Sequence, residues 1–248
     1  MDQLKVVLDH GFVRLVSFMQ PVEHFEIATQ EAVDGFSQWT GDLEVVRNAR
    51  TSYDAHWRVG EDAEKDAKLI HRLDRLRHTS PFEAMVFTFE VRAPIFVFRQ
   101  WHRHRTQSYS EQSARYSELP ELFYVPTVDD IKTQHATEKQ MSGSAHMEAE
   151  MWQSMMEQHC ANAFKLYRQM LENGVARETA RIVLPLATYS HMFCTVNLHN
   201  LFHFIQLRSD EHAQMEIQVY SDAMLELIAT VVPVCVQAFQ IRTGVGVE

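Results

Sequence analysis

The chain has 248 residues, 46% of them hydrophobic and 23% charged, and a formal net charge of −10. That composition describes a globular chain with enough apolar residues to build its own core, and its acidity disfavours nucleic acid as a partner while leaving room for a small anionic ligand. Cys160, Cys194 and Cys235 are widely spaced with no CxxC pair, which suits reduced, buried thiols in a cytoplasmic protein better than a disulfide framework.

The opening "MDQLKVVLDHGFV" carries Asp2 and Asp9 where a secretory signal needs a cationic start, and no later apolar run approaches the roughly 20 residues of a membrane helix. The expectation is a soluble chain without a membrane partner. "LKVVLDHGFVRLVSF" alternates as two short strands around a turn at Asp9 to Gly11, residues 21–40 are ambiguous, and "DLEVVRNARTSY" reads as a short helix. Over 61–77, Leu69, Ile70, Leu73 and Leu76 make an apolar stripe, acidic at its start and basic at its end, as a helix dipole favours.

"MVFTFEVRA" alternates as a half-buried strand, and Pro94 suits the first turn of a helix running to about His102. Residues 127–144 are polar and read as an extended loop or insertion. A long helix is expected over 145–173, its Met and aromatic stripe read as core. Then come a short helix in "ARETARIVLP", a strand in "TYSHMFCTVN", a helix in "LHNLFHFIQL", and a last long helix over 212–232 that stops at Pro233. Helices around a few alternating strands predict an α+β fold.

The chemistry concentrates in "FRQWHRHRTQSYSEQSARYS" at 98–117, which gathers Arg99, His102, Arg103, His104, Arg105 and Arg115. Successive offsets of four and two rotate Arg99, Arg103 and Arg105 by about 40° and 200° on a helix, so Arg99 and Arg103 could share a face while Arg105 points elsewhere. Their planar forks suit phosphate or carbonyl oxygens. The bland alternative is a solvated charged loop. "SYSEQSARY" adds hydroxyls, Glu111 and Arg115, the inventory of a polar pocket, without the GxSxG elbow or placed Asp of a serine nucleophile. His199 and His203, four apart, could instead ligate one metal with Asp210 or His212, a hydrolase reading weakened by the missing Glu of HExxH.

Arg103-His104-Arg105, seven residues, then Ser113 resembles the signature of the flavin-dependent thymidylate synthases, and the likeness extends over most of 42–126 and 173–233. It implies a small, mostly antiparallel sheet with packed helices, one domain over 1–248. It also implies methylation of dUMP to dTMP using 5,10-methylenetetrahydrofolate, with electrons from NADPH carried through bound FAD and no cysteine nucleophile. By matching motifs, Gln100, Trp101, His102 and Arg103 would meet dUMP from one subunit, and Glu111, Gln112, Ser113, Ala114 and Arg115 would cradle it from another. Arg181 and Arg208 would also contact it, with Arg208 the catalytic expectation. FAD contacts would come from His78, Ser80 and Glu83, from Arg103, His104, Arg105 and Glu111, and from Asn197, Leu198, His199 and His203. Some family members carry Arg and Asn where this chain has His199 and His203. On this reading no metal is needed, and sites shared between subunits imply a homotetramer.

Overall fold

A computed structural model describes residues 3–19 and 41–246; the ambiguous segment 21–40 lies outside them. Strands β1 (Leu4–Val7) and β2 (Gly11–Phe18) form the expected hairpin. Gly11 is obligatory there, since a Cβ would lie 2.0 Å from the Tyr220 hydroxyl oxygen and 2.7 Å from Val7 O. β3 (Val86–Pro94) pairs with β2 on one side and β7 (Tyr189–Asn197) on the other. A short edge strand, β4 (Ser108–Glu111), completes a five-stranded antiparallel sheet of order β1-β2-β3-β7-β4.

Period-two alternation divides the sheet into an inner and an outer face. Phe87, Phe89 and Val91 of β3 and Met192, Cys194 and Val196 of β7 are buried. Glu90, Arg92 and His191 take the other face, where Arg14 and His191 both contact Glu90. The inner face packs with helices α4 (Ile95–Trp101), α7 (Leu198–Arg208), α8 (Met215–Ala229) and α9 (Pro233–Thr243) around Trp101, Phe204, Tyr220 and Phe239, none of which is exposed. Truncating one such ring to Ala typically costs about 3–5 kcal/mol.

On the same core lie α1 (Gly41–Thr51), α2 (Ala63–Arg75) and the single turn α3 (Ser80–Glu83). Asp62 caps α2 by accepting from Lys65 N–H, and Ile70 and Leu73 are its buried apolar residues. Pro94 ends β3 and caps α4 rather than lying within its first turn. α5 (Ala149–Glu172) and α6 (Arg177–Ala180) border a second, smaller cluster of Phe164, Tyr167 and Ala180.

Three expectations change. First, the helix expected over 212–232 runs only from Met215 to Ala229, and Pro233 begins a separate helix, α9: Asp42 accepts hydrogen bonds from Val234 and Cys235 N–H at 3.1 and 2.8 Å, a cap supplied from across the sequence. Second, the polar segment 127–144 contains a 3-10 turn and most of a hairpin, β5 (Lys132–Gln134) with β6 (Ser142–Ala145). Third, the stripe on α5 is only partly core, because Phe164 and Tyr167 are buried while Trp152 and Met155 are 41% and 53% exposed.

Candidate active site

The signature segment leaves α4 at His102, loops, and returns as β4. Two side chains of the returning strand and its lead-in hold that loop. Gln107 Oε1 accepts from Trp101 Nε1 at 3.1 Å and from the Cys194 thiol at 2.9 Å. The Tyr109 hydroxyl donates to His104 O at 2.7 Å, with Trp101 O at 3.2 Å. The backbone carrying Arg103, His104 and Arg105 is therefore closed from beneath. Neither Gln107 nor Tyr109 is conspicuous in the sequence, because a tether within the core carries no charge pattern.

On α7, Arg208 meets this loop. Its Nε donates to His104 Nε2 at 3.0 Å and its Nη2 to Gln100 O at 3.3 Å, which fixes the guanidinium plane and leaves donors over. His104 is 7% exposed, and burial, followed by the charges of Arg208 and His203, holds its pKa down at about 4. Near neutral pH the ring is uncharged; as acceptor at Nε2 it carries its proton on Nδ1. The Gln100 side chain is held by Gln214 Oε1 at 2.7 Å, a partner the sequence did not indicate.

A second group forms where β4 meets β7. Ser190 Oγ donates to Glu111 Oε1 at 2.7 Å, Gln112 N–H to His191 O at 2.7 Å, and His102 Nε2 stands 3.9 Å from Glu111 Oε2. The turn that follows is closed by Tyr116 N–H donating to Ser113 O at 3.0 Å, and Arg115 lies 3.6 Å from Glu178 of α6. Arg181 directly follows α6, the helix that carries Glu178; Arg115 and Arg181 are exposed and Ser113 is half-buried.

A third group is a pocket lined by Asp74, Arg77, Thr79, His199, His203 and Arg242. Arg77 adopts φ +59° in the turn after α2, presenting Thr79 and α3 beside the histidine-bearing face of α7. Asn197 accepts from Asn200 N–H at 2.9 Å and caps α7, which sets that face. Thr79 Oγ1 donates to Glu83 at 3.3 Å. His203 stands edge-on to His104 with ring centroids 6.0 Å apart, linking the pocket to Arg208. Burial pushes the His199 pKa down, opposed by Glu83.

Some expected contacts cannot come from side chains. Trp101 and Leu198 are wholly buried, with Trp101 O and Leu198 N–H already bonded within the fold, and Ala114 is nearly buried, which leaves its backbone for any ligand. Among the described residues, no group of three or more His, Cys, Asp and Glu gathers as a metal site, so the pair His199 and His203 gives the hydrolase alternative no third ligand. No described helix is long and apolar enough to cross a membrane. The donor set does suit a flavin dinucleotide: Arg103 and Arg105 are exposed and their guanidinium groups have no hydrogen-bond or ion-pair partner among the described residues, as a pyrophosphate would require.

The family model described as thymidylate synthase complementing protein matches residues 36–234. The flavin-dependent thymidylate synthase of Treponema denticola is 40% identical over 252 residues, spanning 100% of this chain and 86% of that protein. Its Thermus thermophilus counterpart is 42% identical over 234 residues, spanning 94% and 77%. The UMP/dUMP methylase PolB from Streptomyces cacaoi, bound with 5-Br dUMP, superposes with a TM-score of 0.78 at 32% identity, covering 94% of this chain and 96% of that one. The chain belongs to the flavin-dependent thymidylate synthase family.

Proposed function

We propose that this chain forms dTMP from dUMP by reductive methylation, with 5,10-methylenetetrahydrofolate as one-carbon donor and NADPH as reductant, through FAD. The observation that carries the reading is Arg208 held by His104 and Gln100 beside the signature loop. When bound, FAD supplies the hydride chemistry. The protein's part is to bind, orient and polarise.

Arg208 faces the pyrimidine carbonyl and N3. Negative charge grows there as C5 becomes nucleophilic, and a guanidinium already fixed in place stabilises it without reorganising. Neutral His104 supports this by accepting from Arg208 without adding a competing cation. Ser113, Arg115 and Arg181 take the nucleotide phosphate, with Gln112 and the backbone of Ala114 beside them, and Gln100 and Glu111 contact the nucleoside, with His102 behind Glu111. Arg103, His104 and Arg105 address FAD from the loop. His78, Ser80, Glu83, Asn197, His199 and His203 address it from the pocket side.

No cysteine is needed as nucleophile. Cys194 is buried with its pKa pushed up to about 12, and burial and then Asp42 hold the Cys235 thiol well above its ordinary range. The exposed part of the α5 stripe is covered by other copies in a homotetramer, a proposal that light scattering tests against the 28.9 kDa monomer.

The test is dTMP formation by the purified protein with FAD, dUMP, methylenetetrahydrofolate and NADPH. The expected result is a yellow protein whose dTMP production needs all the components. A protein that cannot bind added FAD, or a metal-dependent hydrolytic activity instead, would contradict the reading.

A further inference from the structure

Glu111 is anchored on one side and nearly anchored on the other. Ser190, itself 4% exposed, donates its hydroxyl to Oε1 at 2.7 Å. Oε2 faces His102 Nε2 across 3.9 Å. Packing fixes that imidazole: it lies at 24° to the Phe98 ring with centroids 6.1 Å apart, and Tyr109 meets it edge-on at 4.7 Å. Nε2 is shut away from solvent and has no hydrogen-bond partner among the described residues. A buried polar nitrogen left in that state calls for an explanation. Closing the gap needs a shift of about 1 Å, which rotation of the Glu111 side chain on an edge strand can supply.

We propose that His102 is a positioning residue that, with Ser190, clamps the Glu111 carboxylate so that its remaining acceptor sites face the bound nucleotide. The proposal rests on the reading of Glu111 as a ligand acceptor. It requires the Nε2–H tautomer of His102. Serine and imidazole then occupy the protein side of a carboxylate that has about four lone-pair sites, leaving the outward sites for a ligand N–H or O–H. The signature loop would in this way tie its helical start to its strand through a side chain on each.

The experiment is calorimetric titration of dUMP into the FAD-loaded protein, for wild type, His102→Phe, His102→Gln, Glu111→Gln, Ser190→Ala and the double variant His102→Phe with Glu111→Gln. Thermal melts establish that each is folded. His102→Phe keeps an aromatic ring between Phe98 and Tyr109 and should weaken dUMP about tenfold, the loss expected for one hydrogen bond to a charged group. His102→Gln, which retains an N–H donor, should recover most of it. The double variant should bind no more weakly than Glu111→Gln alone. Penalties that multiply in the double variant, a His102→Gln variant as weak as His102→Phe, or unchanged affinity in His102→Phe overturn the clamp. Should His102→Phe fail to fold, Ser190→Ala decides: a loss of about tenfold supports the clamp and wild-type affinity overturns it. A wild type that binds no dUMP at all overturns the functional reading, and the clamp with it.

Discussion

The two halves of the signature segment are built differently. From Trp101 to Tyr109 the loop is fastened from within, by Gln107 to the Trp101 indole and Cys194, by Tyr109 to the His104 carbonyl, and by Arg208 to the His104 ring. From Ser113 to Ser117 it is held by its own turn bonds, with an exposed ion pair between Arg115 and Glu178. On the function proposed, the first half is preorganised for chemistry, where placement within about 0.5 Å matters, and the second is an open rim for a phosphate that must enter and leave.

The largest effect should follow from removing the charge that the first half holds. Arg208→Ala is expected to keep FAD bound, by its visible absorbance, while dTMP formation falls about 100-fold or more, as for loss of one preorganised charge-stabilising donor. Unchanged turnover would place the catalytic charge elsewhere.

Loosening the loop without touching ligand comes next. Tyr109→Phe removes the bond to His104 O and should cost about 1 kcal/mol of stability in urea melts. Its kcat should fall more than its affinity for dUMP. A variant as active as wild type would show that the loop needs no such tether.

His104 gives the comparison a pH signature. The ring stays neutral in the fold down to about pH 4, whereas a free imidazole takes its proton near 6.5. Below 6.5 the unfolded chain therefore binds more protons, and stability is lost as pH falls from about 6.5 to 4. His104→Asn, which cannot titrate, should show a shallower loss between pH 7 and pH 5 in the urea midpoint. Parallel losses would mean that His104 is not the group responsible.

The smallest effect belongs to the rim. Glu178→Gln releases Arg115 from an exposed pair and should alter stability by no more than about 0.5 kcal/mol. A large destabilisation would make the rim as tightly built as the loop.

Much of this was legible in the sequence because it is written in local periodicity. The strands β2, β3 and β7 and helices α2 and α7 follow their apolar patterns closely. Residues that carry charge, such as Arg208 and His104, stood out by type and motif. What stayed hidden depends on contacts between distant residues. β4 has no apolar alternation and becomes a strand by pairing with β7; α9 begins at a proline, where Asp42 caps it from far away. Gln107, Tyr109, Ser190 and Gln214 support the site without an unusual side chain among them. The long apolar stripe of α5 misled for the opposite reason, since periodicity shows that a face is apolar but not what covers it.

The division of labour within the segment is tested most directly by measuring kcat/KM for dUMP and for deoxyuridine, which lacks the phosphate, in wild type, Arg115→Ala and Arg208→Ala. The account predicts that Arg115→Ala lowers kcat/KM for dUMP about tenfold or more, as for one hydrogen bond to a charged group, and leaves deoxyuridine unaffected, while Arg208→Ala lowers both by the same factor. An Arg115→Ala penalty equal for the two substrates, or an Arg208→Ala penalty that vanishes with the phosphate, would contradict it.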